Sequence, residues 1–147
     1  MKHSTAVLVA GMSVAAVGVA QLVQKHRHHK QDIDTALSRF QIEWLTRASS
    51  DPLEATFWAP EGVDPAKYQQ MLSGNRSFCQ LSLRYRLGLV SRRQLAMYGD
   101  KLMATDTCRA YWERFGSYRE AEAGSRVERQ FTQAMKDAYL RATTLAA

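Results

Sequence analysis

The chain has 147 residues and a formal net charge of +6, with 20 Lys and Arg against 14 Asp and Glu. The excess is concentrated at one end: every acidic residue lies beyond residue 31, together with 16 of the basic ones, so the first thirty residues carry most of it. All four histidines, His3, His26, His28 and His29, fall in that same segment, which excludes serine or cysteine nucleophiles of the histidine-activated kind from residues 31–147.

From Thr5 to Val23 the chain is apolar, interrupted only by Thr5, Ser13 and Gln21. As a helix this run reaches roughly 28 Å, close to the ~30 Å hydrocarbon core of a bilayer. Residues 1–30 therefore read as a transmembrane anchor with a basic collar made of Lys25, His26, Arg27, His28, His29 and Lys30. Such a collar is drawn to anionic headgroups. Membrane lipids are thus the expected partner of residues 5–30. Lys25, Arg27 and Lys30 outnumber Lys2, which places the following domain on the cytoplasmic side of a cell membrane, tethered by a single pass.

Small residues at Ala6 and Ala10, and at Gly11 and Ala15, have the spacing that allows weak self-association of two spans. The competing reading is a secretory signal cleaved near Ala20, after Gly18-Val19-Ala20, with the domain secreted. Against it stand the apolar residues beyond that point and the positive cluster just after it. His26 and His29 share a helix face, but no carboxylate or thiol lies near enough in sequence to complete a metal site, so neither a metal nor another cofactor is expected.

Residues 31–147 suffice for one hydrophobic core and are too few for two. Ile33, Leu37, Phe40, Trp44 and Ala48 recur at steps of three and four, predicting one apolar stripe on a helix that can continue from the anchor. Asp51-Pro52 with Glu54 opens a short helix to about Trp58, because proline costs least where its missing N–H would have had no partner. Asp64-Pro65 repeats the signal and starts the central helix, which runs to about Leu87.

Gly88 then supplies a left-handed stop, with Leu89 the apolar residue expected to fold back. Ser91 with Gln94 forms a capping box for a helix carrying Leu95, Tyr98 and Leu102. Thr105-Asp106-Thr107 caps another with Cys108, Tyr111, Trp112 and Phe115, and Gly116 and Gly124 punctuate the next stretch, leaving Glu120 and Glu122 in a loop-like segment. Ser125 with Glu128 is a second capping box, before a last helix with Val127, Phe131, Met135 and Ala138 on one face. The expected fold is all-α: the transmembrane helix followed by a compact bundle or orthogonal array of five to six helices.

Trp58-Ala59-Pro60, Tyr85-Arg86-Leu87-Gly88 followed by Ser91, Tyr111-Trp112-Glu113-Arg114, and Phe131 through Tyr139 together resemble an uncharacterised family of small actinobacterial proteins. The resemblance covers about Ile33 to Leu140. It implies a short N-terminal membrane segment before a small all-helical domain of unknown function, and it brings no catalytic residues. The family is often acidic after the hairpin glycine, where this chain has Ser91-Arg92-Arg93.

The function expected from these features is a membrane-anchored interaction or regulatory module with no catalysis of its own and a protein partner that the sequence does not name. Trp58, beside Pro60, and Arg84, Arg92 and Arg93 are the candidate interaction residues. Gly88 through Leu95 superficially resembles a helix-turn-helix start, which makes a membrane-tethered nucleic-acid binder one alternative. Arg84, where that motif needs a small residue, and a turn one residue too long count against it. An enzyme relying on carboxylates only is the other alternative, although no pair stands out and there is no Gly-rich phosphate loop. Cys79 and Cys108 read as small buried hydrophobes that stay reduced in the cytoplasm and could pair after export.

Overall fold

The computed structural model describes the backbone of residues 2–144, and the side chains of Gln21 and of residues 23–144. Among the described residues it contains six α-helices and no strand: α1 (Lys2–Ala48), α2 (Pro52–Trp58), α3 (Pro65–Arg86), α4 (Arg92–Met103), α5 (Asp106–Glu122) and α6 (Arg126–Thr144). The chain divides into two units, residues 1–37 and residues 38–147.

In the first unit the collar side chains from Lys25 to Lys30 are all exposed, and the Gln24 amide nitrogen lies 3.5 Å from His28 Nε2. Among the described residues no helix is long and apolar enough to cross a membrane. The expected anchor, Thr5 to Val23, falls outside the described side chains except at Gln21 and Val23. So do the Ala6/Ala10 and Gly11/Ala15 pairs and the Gly18-Val19-Ala20 segment.

In the second unit local chemistry sets the helix ends. The Asp51 carboxylate accepts from the Leu53 N–H at 2.9 Å, and Asp64 accepts from the Lys67 N–H at 2.9 Å, each just before a proline at the first helical position. At the end of α3, Gly88 takes φ +74°, its N–H donates to the Tyr85 carbonyl at 3.0 Å and the Leu89 N–H donates to the Arg84 carbonyl at 2.9 Å. This is a Schellman stop, which satisfies two carbonyls that the helix leaves open. Leu89 does not fold back as expected: it is exposed, and the next residue, Val90, is buried in its place.

Both capping boxes form, Ser91 with Gln94 and Ser125 with Glu128. Gly116, expected as punctuation, lies inside α5, which runs on to Glu122, so Glu120 and Glu122 are helical. A Cβ at Gly116 would stand 2.8 Å from Trp112 Nε1. The glycine therefore makes room for the indole one turn earlier and does not end the helix.

The main core joins Phe78 of α3, Leu95 and Met103 of α4, Tyr111 and Trp112 of α5, and Phe131 and Met135 of α6. Full burial of a side chain of this size contributes about 1.5–3 kcal/mol. The most extensive pairings are α4 on α6 and α3 on α5. A smaller cluster joins Leu45 and Ala48 at the end of α1 to Leu72 of α3, with Trp44 and Tyr68 against it.

The apolar stripe expected on α1 is only partly the buried one. Ile33, Leu37 and Phe40 are exposed, whereas Ser38, Leu45 and Ala48 are buried. The inward face is turned by about one residue because Ser38 Oγ accepts a 2.7 Å hydrogen bond from Arg86 of α3, a polar tie that apolar periodicity cannot register.

Candidate functional site

A polar stripe on α3 faces a largely aromatic one on α5 across the second unit. On α3, Asn75, Cys79, Ser82 and Arg86 follow one another at helical steps of four, three and four; on α5, Tyr111, Phe115, Arg119 and Glu122 do much the same. With Ser38 and Gln41 of α1, and Glu128 and Thr132 of α6, they line a cleft of about 430 Å³. That volume is within the usual range of small-molecule sites.

Arg119 is the centre of this arrangement. Its Nε donates to the Tyr111 hydroxyl at 2.9 Å, and its Nη2 donates to Asn75 Oδ1 at 2.8 Å and to Cys79 Sγ at 3.2 Å. Its guanidinium carbon stands 5.6 Å from the centre of the Tyr111 ring and 5.9 Å from that of Phe78, and these two rings stack on each other at 5.4 Å. The side chain is thus fixed both in its plane and against aromatic faces. Desolvation opposes its charge, but the Tyr111 and Cys79 side chains and their hydrogen bonds more than offset this, so it stays protonated. Burial pushes the Tyr111 phenol up, a rise that Arg119 partly counters.

None of the ion pairs among the described residues includes Arg119. The carboxylates on the walls are Glu122, exposed at the end of α5, and Glu128, whose Oε2 accepts from the Ser125 N–H at 2.8 Å. Those capping bonds, with Arg86 as a lesser influence, hold the Glu128 carboxyl below its ordinary range. Cys79 is therefore not the purely apolar packing group expected: Asn75 Oδ1, 3.4 Å from its sulfur, and Arg119 are its polar neighbours. Cys108 is buried, which pushes its thiol up, and both cysteines are free thiols.

The interaction residues singled out in the sequence lie elsewhere. Trp58 is the last residue of α2; its ring sits 5.8 Å edge-on to Trp44 and its indole N–H donates to Glu54 at 3.1 Å. Arg84 lies over the Tyr98 ring at 5.8 Å, beside a mainly apolar cleft with Leu81 and Leu102. Arg92 lines a different groove with Arg126 and Arg129, where the Gln130 amide oxygen accepts from Arg92 and Arg126 and its nitrogen donates to the Tyr85 hydroxyl. Arg93 is exposed at the start of α4. Arg84 and Arg92 thus line separate clefts. Among the described residues no three His, Cys, Asp or Glu side chains converge as a metal site requires.

Arg119 was the functional candidate missed by sequence reasoning. The available signal was a cation in register with Tyr111 and Phe115 on an apolar face, opposite a polar stripe on the preceding long helix. No curated protein and no solved structure matches the chain. Residues 3–147 match the family of unknown function DUF6082, and the chain belongs to that family.

Proposed function

We propose that the chain is a single-pass membrane protein whose helical domain faces the cytoplasm and works as an interaction or regulatory module without catalysis of its own. The observation that carries this reading is the apolar run from Thr5 to Val23 with Lys25, Arg27 and Lys30 directly after it. The exposure of those basic side chains on α1 suits contact with headgroups. The lack of histidine in residues 31–147, and a cleft whose central group is an arginine, favour binding over turnover.

Membrane fractionation of a C-terminally tagged full-length chain, combined with intact mass, tests the proposal. A full-length chain that stays with the membrane through a carbonate wash and needs detergent for release supports it. A soluble full-length chain overturns it, and a mass beginning at Gln21 overturns it and favours export.

A further inference from the structure

We infer that the cleft around Arg119 is a binding site for a small organic monocarboxylate. Arg119 is half-buried, and a guanidinium drawn this far out of water is normally neutralised by an acid, yet the acceptors around it are a phenol oxygen, an amide oxygen and a thiol, all uncharged as hydrogen-bond partners. Its Nη1 makes no hydrogen bond to the described residues. The remaining nitrogens are tied down, and the stacked rings of Tyr111 and Phe78 stand 5.6 Å and 5.9 Å from the guanidinium carbon. The result is a guanidinium oriented before any ligand arrives, with its free edge available for charge-assisted hydrogen bonds.

The chemistry of the walls narrows the ligand. The two N–H groups of Nη1 can both be accepted by a carboxylate, and Phe115 and Tyr118 offer ring surface for an organic body. Arg86 and Arg119 are already balanced in number by Glu122 and Glu128. A dianion such as phosphate would therefore leave the cleft with twice the excess negative charge that a monocarboxylate would. This inference does not depend on the membrane anchor.

The test uses the purified full-length chain in detergent, labelled with ¹⁵N-arginine, with the Arg119 Nε–H resonance assigned by its loss in Arg119→Lys. Acetate and phenylacetate are titrated against acetamide, phenylacetamide and inorganic phosphate. The expected result is a saturable shift with at least one carboxylate, in the millimolar range or tighter, and at least tenfold weaker binding of its amide. Arg119→Gln should abolish that binding.

Should Arg119→Gln fail to fold, Glu122→Gln at the exposed end of α5 provides the second reading: removing the nearby negative charge should tighten carboxylate binding at least twofold. Equal binding of acid and amide, tighter binding of phosphate, no saturable shift with either carboxylate, or a Glu122→Gln variant that binds no more tightly would each overturn the assignment.

Discussion

Gly74 of α3 lies against the backbone of α5 so closely that a Cβ there would stand 3.1 Å from the Thr107 carbonyl oxygen, 3.4 Å from Tyr111 Cβ and 3.5 Å from Cys108 Cα. Glycine within a helix costs roughly 1 kcal/mol relative to alanine, so its presence reflects this close approach. Two of the neighbours are backbone atoms, which cannot move aside without shifting α5. Gly74→Ala should therefore lose stability despite the propensity gain, by about 1–2 kcal/mol once overpacking is counted. At Gly99 the nearest atom to a Cβ is the flexible tip of Met135, at 2.8 Å, so Gly99→Ala should cost less, within about 1 kcal/mol of the parent. Urea denaturation of the two variants gives the order; Gly99→Ala as the more damaging change would contradict it.

The capping box at α6 makes stability depend on acid. Glu128 accepts from the Ser125 N–H, and its folded pKa is depressed. A depressed carboxylate contributes stability that is fully present above its unfolded value near ~4.3 and is lost as pH falls through the folded value. Glu128→Gln should be less stable than the parent at neutral pH, by under about 1 kcal/mol because solvent screens the group, and should lose less stability below about pH 4. Acid titrations of the two proteins, monitored by helical circular dichroism, check this, and indistinguishable acid profiles would remove the role from Glu128.

The features most legible in the sequence were those whose physics is local. Asp51-Pro52, Asp64-Pro65, Gly88, Ser91 with Gln94 and Ser125 with Glu128 each act through bonds a few residues long, and each marks an observed helix boundary. Long-range choices were not legible. Which face of α1 turns inward depends on the Ser38 to Arg86 bond across 48 positions, and Gly116 is explained by the size of Trp112 and not by its own preferences. The Arg119 site needs Asn75 and Cys79, 44 and 40 positions away, so only its α5 half could be seen as a pattern.

On α2 the structure separates two aromatic neighbours. Trp58 is 48% exposed and edge-on to both Trp44 and Phe57, whereas Phe57 is 78% exposed and meets the Trp58 ring, 5.1 Å away. An edge-on aromatic pair is worth about 0.5–1.5 kcal/mol beyond area burial. Trp58→Ala should leave the domain folded and cost about 1–2 kcal/mol, while Phe57→Ala, which loses one exposed ring contact, should cost less than about 1 kcal/mol. Phe57 is therefore the cleaner probe of any partner docking on α2, since its loss would weaken binding with the smaller effect on the fold. Thermal unfolding of both variants checks the ranking, and a Phe57→Ala loss as large as that of Trp58→Ala would overturn it.

Tyr111 links the fold to the cleft, because its hydroxyl accepts the Arg119 Nε–H while its ring stacks on Phe78. Tyr111→Phe keeps the stacking and removes the acceptor, leaving a half-buried N–H unpaired at a cost of about 1 kcal/mol. The same change should flatten the alkaline response. Burial raises the Tyr111 pKa, so the neutral phenol is favoured in the folded state; that contribution is complete below the ordinary value near ~10 and is lost as pH rises through the higher folded value. Stability of the parent should thus fall above about pH 10 more steeply than that of Tyr111→Phe. If the two fall in parallel, the responsible proton belongs to another group, and Tyr68, whose phenol burial also raises, is the next to replace.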